Sequence, residues 1–445
     1  MLTALFAFLK VILPTILYAT WVFVTIYSVF KNVYWGLFLI VSLIPQPNVY
    51  YQFYVFPMGK DMLDISAFCV LLGIIVQRKG LQTKGSVPIV FFYLLLSYFS
   101  VWIASNEFSM PLPITMANPL LIQWKEYAAM IFLYFLSLHV FKEEKEHRQI
   151  IVLISLVILF IGIRGFRSFT AGGSFSEDSR YEGPFWREGL GSNHYGAFMA
   201  HYTAAVLGFF FFEKDKRLSI LYAMTLFFGT YAILFSYSRG AYLATLVVIM
   251  FYGFIHKRSL LILVCVFIFS WTVLLPTSVV ERVQMTKNES GEIESSAQQR
   301  IDLWHQATDL FLEYPIFGVG YSGFNIKMKS IQNHLTDTHN YYLKVLCEEG
   351  LVGFMLLCGL LLRALWQGWK LFKIGSNSFY RGLGLGFLGA TLSIMITNGF
   401  GDRWSYYVLG GYFWILLGIV DQGIINSESK NIIRAGDELA LETPQ

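Results

Sequence analysis

Charged side chains are scarce in this sequence. Its 445 residues include 33 Lys and Arg and 29 Asp and Glu, so 14% are charged, whereas soluble globular domains average about 25%. So few charges cannot cover the surface of a soluble fold, which excludes a soluble enzyme, a disordered chain and a nucleic-acid-binding protein. The scarcity of charge therefore points to a protein embedded in a lipid bilayer.

Cysteine is also rare. The four cysteines, Cys69, Cys265, Cys347 and Cys358, lie in apolar runs without CxxC spacing. This pattern argues against a cysteine metal site or a disulfide framework. We expect all four to be small buried apolar residues.

Long apolar runs are abundant, since 56% of the residues are hydrophobic and 18% are aromatic. A spanning helix needs about 20 apolar residues, and the runs lack the alternating pattern of membrane β-strands. We therefore predict an all-α polytopic membrane protein with about 12 or 13 transmembrane helices. The predicted helices are residues 4–30, 33–45, 63–77, 86–104, 127–141, 148–166, 195–212, 218–235, 240–255, 259–275, 340–362, 379–399 and 405–422.

Lys and Arg concentrate in one set of short connections between these helices, such as 78–84 and 142–148. These connections alternate correctly with the helices, so the positive-inside rule places them at the cytoplasmic face. The opposite connections are longer and rich in Gly, Pro and polar residues. They comprise residues 46–62, 105–126, 167–194 and 276–338.

The sequence divides into N-terminal transmembrane helices at 1–180, a second transmembrane domain at 190–422 and a polar cytoplasmic tail at 423–445. The large outer loop 276–338 belongs to the second domain. In this loop Ile301, Trp304, Ala307 and Leu310 recur at helical spacing, which predicts an amphipathic helix on the outer membrane surface. Pro315 and the glycines of 318–323 then predict a tight turn.

Three polar motifs fall at the outer boundary of the predicted helices. Arg239, in Ser-Tyr-Ser-Arg-Gly-Ala, opens a helix, and a helix N-terminus with an adjacent guanidinium suits phosphate. Its simpler interpretation is an interfacial anchor. Arg300 shares a face of the amphipathic helix with Trp304. Alone, that pair is equally well explained as a solvated charge beside an aromatic ring.

The third motif surrounds His339. Thr336, Asp337 or Thr338 could cap the following helix, which would place His339 in its first turn and hold the imidazole neutral. Asp337 would oppose that effect or orient the ring, and Asn340 is a further candidate for substrate binding. Glu348 lies deeper, where a carboxylate is costly and usually functional, although it could instead form a buried pair with a neighbouring helix.

A fourth polar segment, 180–194, contains Arg187 and Asn193 beside Trp186. Such aromatic and polar groups could contact a sugar, or they could form an ordinary surface loop. The turn Asp402-Arg403-Trp404 has the same two interpretations. Taken together, the motifs bring two arginines and one histidine to one boundary, which suits a lipid-linked phosphate or pyrophosphate.

These motifs, in this order, resemble the O-antigen ligase and polymerase superfamily over roughly residues 190–420. The matching stretches are Ser-x-Ser-Arg-Gly-Ala at 236–241, Arg-x-x-x-Trp to Pro-x-x-Gly-x-Gly-x-x-x-Phe at 300–324, and His-Asn-x-x-Leu-x4-Glu-x-Gly-x-x-Gly at 339–353. The aromatic stretch 33–62 is similar to that of putative O-glycosylation ligases.

The resemblance implies a GT-C-type membrane glycosyltransferase in the bacterial inner membrane with a periplasmic active site. Its donor would be a glycan on undecaprenyl pyrophosphate, and its acceptor a hydroxyl on lipid A-core, another glycan or a protein. The family's arginines correspond to Arg239 and Arg300, and its histidine to His339. The arginines would bind the pyrophosphate and His339 would act as general base, with inversion at the anomeric carbon. We expect no metal and no other cofactor, with Asp337 and Glu348 in supporting positions.

Two other functions remain open from the sequence. A repeat-unit polymerase of the same superfamily would use the same residues and differ only in product. A flippase for lipid-linked glycans also needs cationic groups near headgroups, but it would be expected to carry charges deep in several helices and inverted repeats. A purely structural membrane protein would leave the three ordered motifs unexplained.

Overall fold

The computed structural model describes residues 2–80, 82–168, 180–285, 295–332 and 337–442, and these form seventeen α-helices and no β-strand. The helices are α1 (Leu2–Phe30), α2 (Val33–Leu43), α3 (Pro47–Tyr50), α4 (Met62–Val76), α5 (Val87–Glu107), α6 (Pro119–Val140), α7 (Glu144–Ser168), α8 (Ser192–Phe210), α9 (Lys216–Phe235), α10 (Arg239–Ile255), α11 (Ser259–Leu274), α12 (Thr277–Gln284), α13 (Ser295–Glu313), α14 (Gly323–Gln332), α15 (Tyr341–Ile374), α16 (Ser378–Thr397) and α17 (Tyr407–Glu442).

Each of the thirteen predicted apolar runs is a helix, and the chain is an all-α multi-pass membrane protein. In the described residues, seven helices are long and apolar enough to span a bilayer: α1, α5, α7, α9, α15, α16 and α17. The pair α11 and α12, bent by 106°, would make an eighth. Part of the difference from the predicted number arises because helices such as α4 and α10, of 15 and 17 residues, are shorter than the bilayer requires.

Asn or Asp side chains cap several of these helices. Asn32, Asn118, Asp215, Asn340 and Asn377 each accept hydrogen bonds from backbone amides in the first turn of α2, α6, α9, α15 and α16. These amides have no partner within the helix, so the caps stabilise the helix starts.

The centre of the bundle is α17, whose apolar segment is 94% buried and which packs on α6, α15 and α16. Helix α16 in turn lies against α8 and α10. A Cβ atom on Gly208 of α8 would lie 2.3 Å from the backbone nitrogen of Gly386 on α16, so their close approach requires glycine. This packing sets the ends of α8, α10 and α15 side by side around α16.

The amphipathic helix predicted in loop 276–338 is α13, which confirms its existence. Its apolar residues Leu303, Ala307 and Leu310 are buried in a cluster with Phe324 of α14 and Cys347 of α15. The expectation that this face lies on the membrane surface is therefore wrong. An amphipathic pattern does not distinguish a lipid surface from a protein one, and here the apolar face packs on the protein itself.

Helix α15 is interrupted at Gly350, where φ is 66° and ψ is −166°. The turn after α13 supplies the missing hydrogen bonds: the Gly320 amide donates to the Glu348 carbonyl at 2.9 Å, and the Leu351 amide donates to the Pro315 carbonyl at 2.9 Å. The predicted turn at 315–323 thus complements a break in a membrane helix.

Two smaller expectations are corrected. Helix α17 continues past residue 422 to Glu442, so the polar tail predicted from residue 423 begins as an extension of this helix. Of the cysteines, Cys347 is buried, but Cys265 is exposed on α11 and the other two are partly exposed. The face of α11 that carries Phe269 and Val273 is also exposed, as expected for contact with lipid.

Candidate active site

Two adjoining cavities lie where α8, α10, α13 and the start of α15 meet. The first, which we call the arginine cavity, has a volume of ≈ 360 Å³ and is lined by Arg239 among others. The second, the histidine cavity, has a volume of ≈ 370 Å³ and is lined by His339. Asn193, Arg300 and Arg403 line both cavities. The structure therefore brings together the three residues that the motifs singled out, from stretches far apart in the chain.

Arg239 is the first residue of α10, as the sequence predicted. The preceding turn contains Tyr237 in a left-handed conformation with φ of 53°, and Ser238 is the N-cap residue. The Arg239 guanidinium donates to the Met285 carbonyl at 3.2 Å. A helix N-terminus and a guanidinium thus face one cavity, an arrangement suited to anionic oxygens.

Arg300 and Trp304 lie on the same face of α13 and both line the arginine cavity. The Trp304 indole N–H donates to the Thr338 carbonyl at 3.0 Å. This hydrogen bond ties the helix that carries Arg300 to the loop that carries His339, so the second and third motifs are joined directly.

The sequence suggested that His339 lies in the first turn of a helix, but the structure places it before the helix begins. Helix α15 begins at Tyr341, its N-cap is Asn340, and Thr336 lies outside the described residues. His339 precedes the cap with φ of 51°, a conformation that non-glycine residues seldom adopt. The Thr338 hydroxyl donates to the Asn340 carbonyl at 2.7 Å and stabilises this turn.

Burial lowers the pKa of His339 below its usual value. The Asp337 carboxylate opposes this shift, and the Arg300 and Arg403 guanidinium groups reinforce it. The imidazole is therefore held neutral, as expected from the sequence, although burial and arginines rather than a helix terminus are the cause. A neutral imidazole can accept a proton.

Three arginines that the motifs did not single out as site residues join this cluster. Arg403 is 7% exposed, and burial lowers its pKa to about 10 while Asp402 opposes that shift. Arg282 lines the arginine cavity and donates to the Tyr237 carbonyl at 3.5 Å. Arg180 lines the histidine cavity. Arg180 and Arg403 stood in polar segments that the sequence left ambiguous, and Arg282 was visible only as a charge beside an apolar run.

Positive charge therefore dominates both cavities. Among the described lining residues, the cations are Arg180, Arg239, Arg282, Arg300 and Arg403, and the carboxylates are Glu182 and Asp337. This excess of guanidinium groups suits a ligand with several anionic oxygens, such as a pyrophosphate.

Of the two candidates from the segment 180–194, only Asn193 lies at the cavities. Asn193 lines both cavities, and its side-chain oxygen accepts a hydrogen bond from Arg180 at 2.8 Å. Arg187 lines neither cavity. Its guanidinium lies 4.9 Å from the Trp186 ring centre and 5.7 Å from that of Tyr51.

Glu348 lines a different, smaller cavity of ≈ 120 Å³ together with Lys344 and Glu349. No ion pair of Glu348 occurs among the residues that the structure describes, since Lys344 pairs with Asp402 at 2.8 Å and lies 4.0 Å from Asp337. Asp402 is buried, which opposes its ionisation, but Lys344 and the Ser405 amide hold its pKa below the usual value. Asp337, two residues before His339, thus lies beside this second group of charges.

Within the described residues, no group of three or more His, Cys, Asp or Glu side chains could hold a metal ion. The charged side chains that line the two cavities are mostly arginines, which donate hydrogen bonds to anions.

Residues 224–358 match a family model described as O-antigen ligase. Arg239, Arg300 and His339 all fall inside this segment, whereas Asn193 and Arg403 lie outside it. A protein of Haemophilus influenzae, described as uncharacterized, is 23% identical over 182 residues, which cover 36% of this chain and 46% of that protein. The chain thus spans less than half the length of this relative. The matched segment, with both arginine motifs and the histidine motif in it, confirms the resemblance to the O-antigen ligase and polymerase superfamily.

Proposed function

We propose that this protein is a membrane glycosyltransferase that transfers a glycan from an undecaprenyl-pyrophosphate carrier to an acceptor hydroxyl. One observation carries the proposal: Arg239, Arg300 and Arg403 line two adjoining cavities beside His339 at the ends of membrane-embedded helices. A polyprenyl chain would lie in the bilayer, which brings its pyrophosphate to the depth of these arginines.

The arginine cavity binds the pyrophosphate of the donor. Guanidinium groups match phosphate oxygens in geometry and stay charged at all relevant pH values. Negative charge grows on the pyrophosphate as its bond to the anomeric carbon breaks, and preorganised donors stabilise this charge most in the transition state. Arg239 and Arg300 thereby assist the departure of undecaprenyl pyrophosphate, and we expect no metal requirement.

His339 acts as the general base. The acceptor oxygen attacks the anomeric carbon, a new carbon–oxygen bond forms, and the acceptor proton passes to the neutral imidazole. The bond to the pyrophosphate breaks in the same displacement, so the configuration at the anomeric carbon inverts.

The cellular setting follows from the same proposal. The protein lies in the bacterial inner membrane with the site on the periplasmic side, and the acceptor belongs to lipid A-core, to a protein or to another glycan. A capped lipid or protein as product identifies a ligase, whereas lengthened glycan chains identify a repeat-unit polymerase.

Transfer by the purified full chain in proteoliposomes tests the proposal, with an undecaprenyl-pyrophosphate-linked glycan as donor. We expect Arg239→Ala, Arg300→Ala and His339→Ala each to lower the turnover by about 100-fold or more, the usual effect of removing one transition-state donor or a general base. Arg258→Ala, an exposed arginine after α10, is the matched control and should keep full turnover.

Near-normal turnover in all three site variants would contradict the proposed mechanism. Loss of transfer in EDTA, with recovery on addition of a divalent cation, would contradict metal independence alone.

A further inference from the structure

A groove of ≈ 490 Å³, which we call the lipid groove, lies between α4 and α5. Helix α6 packs against both of these helices and forms the floor of the groove. The lining comes from one face of each helix, within residues 64–71, 91–98 and 124–132. Among the described lining residues, none is shared with the arginine cavity or the histidine cavity. The lipid groove is therefore a separate site, and its occupant does not depend on the proposed transfer.

The lipid groove has the shape of a hydrocarbon chain. From Trp124 to Phe132 it extends about 12 Å along α6, eight residues at 1.5 Å each. This length is close to half of the hydrocarbon core of a bilayer, which is about 30 Å thick. Phe68 and Phe91 are exposed at its sides, and the short side chain of Ala128 leaves its floor open. One acyl chain of a single leaflet would fill this space.

Two opposite charges lie at one end of the lipid groove. The Lys125 ammonium pairs with the Asp64 carboxylate at 2.8 Å, and the two side chains are 43% and 39% exposed. Asp64 is in the first turn of α4 and Lys125 is in the second turn of α6, so the pair lies near the starts of both helices. Charged side chains that face a lipid-lined groove are costly and usually functional. The pair is placed where the headgroup of a lipid in the groove would lie.

This pair suits a headgroup that carries both signs of charge. The Lys125 ammonium can donate to a phosphate, and the Asp64 carboxylate can accept from a primary ammonium. A purely anionic headgroup would draw Lys125 away from Asp64 and leave that carboxylate without a cation. A trimethylammonium group has no N–H to donate. The chemistry therefore favours a phosphate ester of ethanolamine over the other common headgroups.

We propose that the lipid groove binds a diacyl phospholipid of the phosphatidylethanolamine type. One acyl chain lies between α4 and α5, the phosphate contacts Lys125, and the ammonium group contacts Asp64. The bound lipid fills the space between these helices and thereby holds α4 in place against α6.

Native mass spectrometry of the full chain, freed of co-purified lipid, measures this selectivity. The probes are phosphatidylethanolamine, phosphatidylglycerol and phosphatidylcholine with identical acyl chains. We expect phosphatidylethanolamine to bind about tenfold more tightly than the other two, because it alone provides hydrogen-bonding partners for both members of the ion pair.

Two substitutions at the ion pair should have different effects. Asp64→Asn should reverse the preference in favour of phosphatidylglycerol, because Lys125 is then a cation without an opposing carboxylate. Lys125→Met should weaken both lipids by about tenfold, because each phosphate loses its donor. Lys370→Met is the matched control: Lys370 pairs with Glu428 at 2.7 Å outside the lipid groove, and its loss should leave the order of affinities unchanged.

Ala128→Leu tests the acyl-chain part of the site without changing any charge. The larger side chain would occupy the floor of the groove, so all three phospholipids should bind more weakly by a similar factor. This variant separates occupancy of the groove from electrostatic attraction at its end.

Equal affinity of the wild type for the three phospholipids would overturn the proposal, and so would an unchanged order of affinities in Asp64→Asn. Wild-type affinity in both Lys125→Met and Ala128→Leu would show that the lipid binds elsewhere. Tighter binding of undecaprenyl pyrophosphate than of phosphatidylethanolamine, lost in Lys125→Met, would assign the groove to a polyprenyl chain and would also contradict the proposal.

Discussion

The protonation of His339 is set by neighbours that act in opposite directions. Burial, Arg300 and Arg403 lower its pKa, and Asp337 raises it. The imidazole must be neutral to act as base, so the acid limb of the pH–rate profile reports this pKa. Each neighbour should therefore move that limb in a direction fixed by its charge.

Asp337→Asn should shift the acid limb of the profile to lower pH. The carboxylate stabilises the imidazolium form, so its removal lowers the pKa further and leaves His339 neutral in more acidic solution. The amide oxygen can still accept the hydrogen bond that Asp337 receives from the Thr338 amide at 2.9 Å. Measuring kcat/KM from pH 4 to pH 9 checks this expectation, since a shift to higher pH would contradict the role of Asp337 as the opposing charge.

Single site residues were predictable where a motif marked them. Arg239 and Arg300 could be placed because each stands at a helix start or on an amphipathic face that the sequence reveals. Arg403 and Arg180 could not be assigned, because their approach to Arg300 depends on how distant segments pack. Arg187 shows the converse, since its polar neighbours in the sequence do not bring it to the cavities.

The interruption of α15 is the element on which the site depends most. Gly350 lies in a backbone region that is essentially restricted to glycine, and a Cβ atom there would lie 2.3 Å from the Ile316 carbonyl oxygen. Because the turn after α13 binds this break, the break fixes α13 relative to α15.

Gly350→Ala should lower the free energy of unfolding by about 2 kcal/mol or more, from backbone strain together with the steric clash. It should also lower turnover, because Arg300 on α13 loses its position relative to His339. Gly359→Ala on the same helix is the control, since its Cβ would make only an ordinary 3.4 Å contact with Ile89. Thermal unfolding in detergent measures the stability of the two variants. Equal stability would contradict this role of Gly350.

The existence of the helices followed from the length of the apolar runs, but their partners did not. The face of α13 packs on α14 and α15 instead of lipid, and the break in α15 has no signal beyond a glycine and a distant turn. Such features arise from contacts between segments, which a periodic pattern within one segment does not record.

Across the whole molecule, charge is sorted by position. Arginines surround the two cavities at one end of the bundle, and the basic connections such as 142–148 lie at the other. The positive-inside rule assigns the second set to the cytoplasm. The candidate site would then face the periplasm.

Cysteine labelling tests this orientation. In a variant without native cysteines, Thr308→Cys, at an exposed position of α13, should react with a membrane-impermeant maleimide in intact spheroplasts. Lys145→Cys, exposed at the start of α7, should react only after permeabilisation. The reverse pattern would place the site in the cytoplasm and contradict the proposed location.

The affinity for undecaprenyl pyrophosphate is the most direct measure of the central claim, that Arg239 and Arg300 form a pyrophosphate site. Native mass spectrometry of the full chain can compare this lipid with undecaprenol. We expect the pyrophosphate to bind preferentially, and Arg239→Ala and Arg300→Ala each to weaken its binding by about tenfold or more, while Arg258→Ala does not. Equal affinity for the two lipids, or wild-type affinity in both site variants, would contradict the account.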